Sequence, residues 1–308
     1  MAHQSPKPPS LALRLALAGV LLALLFGLGR HWEADYTPIP VVTSVTVKPA
    51  PLLHTPVPAA PPARTYEEPA PPLTAPRAPS PSPALTGIAP RIAVIIDDMG
   101  INRQQSGPVL QLPVPVTVAF LPYGRATPAL AAEAAAKGFE VMLHMPMQPA
   151  GPDNPGPDAI TSGLDPVQVG ERLAAAQARV PQAVGVNNHM GSAATVDAAL
   201  MDAFMQMLQP TGQFFVDSYT SADSVAYAAA TAHGVPALRR DVFLDNDQSP
   251  EAIWRQISRA EGIARRHGQA IVIGHPYPST IAVLREWLPR LEQQGMRVVK
   301  VGELLKEP

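Results

Sequence analysis

Between residues 91 and 308 the apolar positions fall into short runs of strand length, and one run after another stops on a group able to bind metal or move a proton. Ile92-Ala-Val-Ile-Ile stops at Asp97-Asp98, Val141-Met-Leu at His144, and Val184-Gly-Val at Asn187-Asn188-His189. Phe214-Phe-Val stops at Asp217 and Ile271-Val-Ile-Gly at His275. The pattern predicts strands over 92–96, 116–121, 140–144, 183–187, 214–217, 237–242, 270–274 and 297–301. Helical segments with recognisable ends lie between them. Thr127-Pro128 opens 129–137 before Gly138, Asp165-Pro166 caps 167–179, and Thr195 caps 196–208 with Gly212 beyond. Ser249-Pro250 opens 251–267 before Gly268, and Ser279 opens 280–294 before Gly295. Strand, cap, helix, glycine, strand is the rhythm of right-handed βα units, and seven or eight of them predict a (β/α) barrel. In such a barrel every strand's carboxyl end opens on one face, so the polar run-ends share one mouth.

The first third of the chain is different. Residues 1–30 contain an apolar stretch, 11–29, interrupted only by Arg14 and about long enough to span a bilayer. Lys7 lies before it and Arg14 near its start, while Arg30 on the far side is followed by His31, Glu33 and Asp35, a bias that weakly favours a cytoplasmic N-terminus. The expectation is an inner-membrane anchor with the C-terminal domain in the periplasm. The alternative is release into the periplasm after signal cleavage, although no small-x-small site closely follows Leu28. Residues 31–90 are rich in Pro, Ala, Ser and Thr with no sustained period, which reads as a disordered, semi-rigid linker. Residues 91–308 then suit one domain.

Composition narrows the chemistry. A formal net charge of −2 without a basic tract argues against nucleic-acid binding. No Cys is present, so any metal must sit on imidazole and carboxylate. No Gly-x-Gly-x-x-Gly or Gly-Lys-Ser/Thr loop follows the first strand, which removes support for a nucleotide site.

The strand ends carry the candidates. Asp97 and Asp98, as neighbours, are expected to diverge, one toward a cation and the other toward substrate. A carboxylate beside a divalent ion stays ionised and suits a general base. His144 is followed by Met145-Pro146, which fixes the loop. His189 lies in a cluster with Asn187 and Asn188, costly to bury unless each group bonds something. His275, after Gly274 and before Pro276, projects over the mouth. Arg239-Arg240-Asp241 and Asp245-Asn246-Asp247 flank a strand end and would bind a polar substrate, orient His275, or form surface ion pairs. His233 and His267 read as helix C-terminal residues, and Trp254 and Trp287 as packing.

Ile95-Ile-Asp-Asp-Met-Gly100, Leu143-His-Met-Pro-Met147, Gly185-Val-Asn-Asn-His-Met-Gly-Ser192, Phe215-Val-Asp-Ser218 and Gly274-His-Pro276 occur in the order of a known family. In these motifs the domain resembles the divergent polysaccharide deacetylases, a branch of the polysaccharide deacetylase superfamily. The resemblance implies a distorted (β/α)7 barrel. It also implies a metal-dependent hydrolase, acting on carbon–nitrogen bonds, that removes acetyl groups from a cell-wall or exported polysaccharide, commonly with zinc. By position, Asp97 resembles the general base, Asp98 the metal carboxylate and His144 the first histidine ligand. His275 resembles the acid that protonates the leaving amine, with Asp217 available to orient it. The superfamily's second histidine, four residues after the first, is Gln148 here, and His189 is the candidate replacement ligand. Implied partners are a divalent metal, a polysaccharide or peptidoglycan-like glycan, and the membrane through the N-terminal segment. Two other readings stand beside this one: a catalytically silent glycan-binding or scaffold domain, and a hydrolase of a different amide or ester.

Overall fold

The computed structural model of the protein describes residues 89–113 and 115–306. The expected anchor at 1–30 and nearly all of the linker at 31–90 lie outside the described residues. Among those described, no helix is long and apolar enough to cross a membrane. In chain order the elements are β1 (Arg91–Met99), α1 (Arg103–Ser106), β2 (Thr117–Phe120), α2 (Thr127–Ala136), β3 (Glu140–Met147), α3 (Pro166–Arg179), β4 (Gly185–Met190) and α4 (Ala198–Leu208). They continue with β5 (Phe214–Asp217), α5 (Ala226–Ala232), β6 (Ala237–Arg239), β7 (Val242–Phe243), α6 (Pro250–His267), β8 (Gln269–Gly274), α7 (Pro278–Leu291) and β9 (Arg297–Val299).

All the strand pairs are parallel, in the order β6-β5-β4-β3-β2-β1-β8-β7, and β9 lies beside the start of β1. The expected strand at 237–242 is in fact two. Arg240 N–H bonds Asp217 O on β5 at 3.0 Å, and Asp241 N–H bonds Ile271 O on β8 at 2.9 Å. The chain therefore changes partner between consecutive residues, and the two edge strands are joined by only two residues. A sheet whose ends are tied so closely must curl, giving a half-barrel of parallel strands.

Side chains alternate across this layer with the two-residue strand period. Ile92, Val94 and Ile96 face outward into a core shared with the helices, while Ala93 and Ile95 face inward with Ala119, Met142, Val216 and Ile273. The inner cluster fills the barrel below the mouth, and each fully buried Ile or Val in it contributes roughly 1.5–3 kcal/mol. Asp165 caps α3 with a full capping box and Ser249 caps α6, as expected. For α4 the cap is Asp197, whose carboxylate accepts from Leu200 N–H at 3.1 Å, and not Thr195. Thr195 instead donates to Gly191 O at 2.8 Å and holds the loop after β4. The short helix α5 is unforeseen because no capping side chain or proline precedes it. Trp287 is fully buried, and its ring N–H reaches Glu261 at 2.9 Å, tying α7 to α6.

Candidate metal centre

The inward column of β1 runs Ala93, Ile95, Asp97, so alternation alone sends Asp97 into the mouth and Asp98 away from it. Asp98 nevertheless reaches the same centre. Its φ of +55° is left-handed, and the pairing of β1 with β2 slips between Ile96 and Met99. This bulge reverses the expected divergence of the two carboxylates, and Asp tolerates the conformation better than most residues. Gly100 completes the turn at φ +99°, where a Cβ would lie 2.0 Å from Thr127 Oγ1. Only glycine fits there.

On β3 the inward residues are Met142 and His144, and on β4 they are Asn187 and His189. The β3–β4 register pairs His144 with Asn187 and Pro146 with His189, so the two imidazoles meet at adjacent strand ends. His189 Nδ1 lies 3.0 Å from Asp98 Oδ1 and 3.2 Å from His144 Nε2, and His144 Nε2 lies 3.5 Å from Asp98 Oδ1. Bonds of about 2.0–2.1 Å to a tetrahedral cation imply ligand separations of roughly 3.3 Å, and these three edges bracket that value. Asp98 Oδ1 is buried yet makes no hydrogen bond of acceptable geometry, despite the two nearby nitrogens. Three donors converging on one point describe a cation site better than a hydrogen-bond network. Burial by itself would raise the Asp98 carboxyl. The His189 charge, the contacts of His144 and His189 with its oxygens, and the His275 charge outweigh that and hold it well below the ordinary carboxylate range.

Asp97 sits beside this triad, its Oδ2 3.7 Å from His144 Nε2. Asn187 Nδ2 donates to both Asp97 oxygens, at 2.9 and 3.0 Å, and lies 3.3 Å from Ser218 Oγ. The buried amide of Asn188 is satisfied separately, donating to Met190 O at 2.7 Å and accepting from Ser218 N–H at 2.8 Å. Met190 and Tyr219 also carry positive φ, +54° and +53°. Unusual backbone thus gathers at the ends of β1, β4 and β5, around the mouth.

His275, at the end of β8, is oriented by Asp245. The Asp245 carboxylate accepts from the His275 backbone N–H at 2.7 Å, contacts ring Nδ1 at 2.8 Å, and accepts from Thr280 Oγ1 at 2.7 Å. Gly274 leaves room for the Thr280 side chain that bonds this carboxylate, since a Cβ there would stand 3.1 Å from Thr280 Cγ2. The Arg240 guanidinium lies 3.7 Å from the centroid of the Phe243 ring, which stacks in turn on His275.

The orienting place expected of Asp217 is therefore Asp245's. Asp217 is buried at the end of β5, accepting from Tyr219 N–H and Ser224 Oγ, each at 2.8 Å. Burial raises its carboxyl above the ordinary value, only partly countered by those bonds and by Arg240 and Arg239. Gln148 takes no part in the centre. Its side chain accepts from Ser162 N–H at 2.8 Å, and its backbone ties together 160, 193 and 194. Tyr123, which the sequence pattern did not single out, has its hydroxyl pushed up to about 12 by burial and then by the charge of Asp98.

A family model described as divergent polysaccharide deacetylase matches residues 94–305. An uncharacterized protein of Haemophilus influenzae is 38% identical over 214 residues, covering 70% of this chain and 76% of its own. The uncharacterized protein YibQ of Escherichia coli is 36% identical over 227 residues, covering 74% and 70%. Among solved structures, an uncharacterized protein from Agrobacterium tumefaciens superposes with a TM-score of 0.69 at 28% identity, covering 72% of this chain and 92% of the other.

Proposed function

Because the chain belongs to the divergent polysaccharide deacetylase family, we propose that it is a metal-dependent hydrolase removing acetyl groups from a cell-envelope or exported polysaccharide. The observation that carries this reading is the convergence of Asp98, His144 and His189 at cation-ligand spacing with a second carboxylate, Asp97, beside them. The curled parallel layer agrees with the distorted (β/α)7 barrel such a hydrolase would have.

One oxygen and two nitrogen donors fit a divalent ion such as zinc, which supplies Lewis acidity toward an acyl carbonyl and eases deprotonation of water. Asp97, its oxygens anchored by the Asn187 amide, takes a proton from the attacking water. His275, with Nδ1 held by Asp245, gives a proton to the departing nitrogen or oxygen of the sugar. Arg240 and Phe243 keep the imidazole in its plane.

The test is acetate release from a panel of acetylated glycans by metal-loaded protein. The reading expects release that depends on metal and is abolished by Asp97→Asn with metal content unchanged. Gln148, turned from the centre to tie down the 160–162 segment, favours a second reading, a catalytically silent glycan-binding or scaffold domain. Glycan binding without acetate release, unaltered by Asp97→Asn, selects that reading. From the apolar stretch at 11–29 we also place the domain outside the cytoplasm on a membrane anchor. Protease accessibility in spheroplasts tests the side, and resistance to alkaline extraction tests the anchor.

A further inference from the structure

We infer that Asn187 is a positioning residue which fixes the proton on His144 Nδ1 and so presents the Nε2 lone pair to Asp98 and His189. A short relay runs from Asp97 through Asn187 to His144. The Asn187 NH2 group lies 2.9 and 3.0 Å from the two Asp97 oxygens and 3.3 Å from Ser218 Oγ, a donor among acceptors. Turned the other way, the amide would set oxygen against oxygen at those distances. With the nitrogen committed to Asp97, the amide oxygen faces His144 Nδ1 at 3.0 Å. A carbonyl oxygen only accepts, so Nδ1 must carry the hydrogen. In the neutral ring the other nitrogen of His144, 3.2 Å from His189 Nδ1 and 3.5 Å from Asp98 Oδ1, is then the one with a lone pair.

Strand geometry builds this relay. The β3–β4 register sets His144 directly beside Asn187, and the two-residue period puts Asn187 and His189 on one face of β4. Metal-bound histidines commonly donate their second N–H to a carboxylate. A carboxylate at 187 would face Asp97 at about 3 Å and add a third negative charge beside Asp97 and Asp98. The amide orients His144 equally well at no charge, and through the same group it anchors the oxygens of Asp97. The inference thus couples the base to the ligand set, and it rests on the metal-centre reading for its purpose but not for its geometry.

The experiment is a long-range proton–nitrogen correlation spectrum of the metal-free full chain, ¹⁵N-labelled at histidine, with His144 assigned by the signal lost in His144→Gln. The relay expects His144 in the Nδ1–H form, retained in Asn187→Asp and lost to the Nε2–H form or a mixture in Asn187→Leu. Zinc affinity, measured by chelator competition, is expected to fall about 10- to 100-fold in Asn187→Leu. An Nε2–H form in the unaltered protein overturns the inference and needs no variant to be seen. So does an Asn187→Leu protein with unchanged tautomer. If the spectra behave as expected while the unaltered protein binds no zinc, the relay stands and the metal reading falls.

Discussion

Replacing Asp245 by Asn separates the two aspartates that the sequence offers as partners for His275. One Asp245 oxygen, Oδ2, takes two donors, the His275 backbone N–H and the Thr280 hydroxyl, whereas Oδ1 faces only His275 Nδ1. The backbone donor cannot reverse, so the amide oxygen must occupy the Oδ2 place and the NH2 group must face the ring. His275 Nδ1 then has to accept, and its proton moves to Nε2. Exchanging one charge-assisted hydrogen bond for a neutral one costs about 1–2 kcal/mol of stability. It also removes the carboxylate that would stabilise an imidazolium. A positioned general acid contributes about 10²- to 10⁴-fold, so kcat for acetate release should fall by about that factor, or roughly 3–5 kcal/mol in the barrier. Metal content should not change. Asp217→Asn should leave kcat within about threefold, because Asp217 binds Tyr219 N–H and Ser224 rather than His275. Unaltered turnover in Asp245→Asn, or an equal loss in Asp217→Asn, would refute the assignment.

Further outcomes follow from the same geometry. Asp217 is raised in the folded state by burial, so its folded value exceeds its unfolded one. Its contribution to stability is complete below the unfolded carboxylate range and disappears as pH climbs through the raised folded value. Asp217→Asn should therefore gain stability over the unaltered protein as pH rises across that window, measured by paired urea titrations, and a constant difference would contradict this. Gly100→Ala places a Cβ 2.0 Å from Thr127 Oγ1 at φ +99° and should cost at least about 2–3 kcal/mol in the same titration. Asp197→Ala removes the cap of α4 and should cost about 1 kcal/mol. A loss below about 0.3 kcal/mol would say that the Asp197 bond is idle.

Much of this centre is legible in the chain because strands obey a period of two and end where polar residues begin. His144 and His189 stand at the ends of apolar runs, and the parallel βα rhythm brings those ends to one mouth. Asp98 is different: alternation points it outward, and only the left-handed φ and the slipped β1–β2 pairing turn it back. No pattern of hydrophobic spacing announces a bulge of that kind, although the Gly100 after it is a hint. The partner of His275 was ambiguous for a topological reason. Asp217 ends β5 and is paired in register with Arg239 of β6, whereas Asp245 follows β7, whose Phe243 is in register with Ile273 of β8. Two residues onward, that register sets Asp245 opposite His275. Reading 237–242 as one strand hid the change of partner at Arg240 and Asp241, and with it this pairing. Thr280, in the first turn of α7, bonds Asp245 at the end of β7, a contact across the fold that no local spacing announces.

The central claim is that Asp98, His144 and His189 hold one divalent cation. X-ray absorption at the zinc edge, on protein loaded and then dialysed, tests it directly alongside elemental analysis. One zinc per chain is expected, with nitrogen and oxygen neighbours at about 2.0–2.1 Å and two histidines in the outer-shell signal. One imidazole should vanish from that signal in His189→Ala. A protein that retains no stoichiometric metal, or whose zinc signal is indifferent to both His144→Ala and His189→Ala, would contradict it.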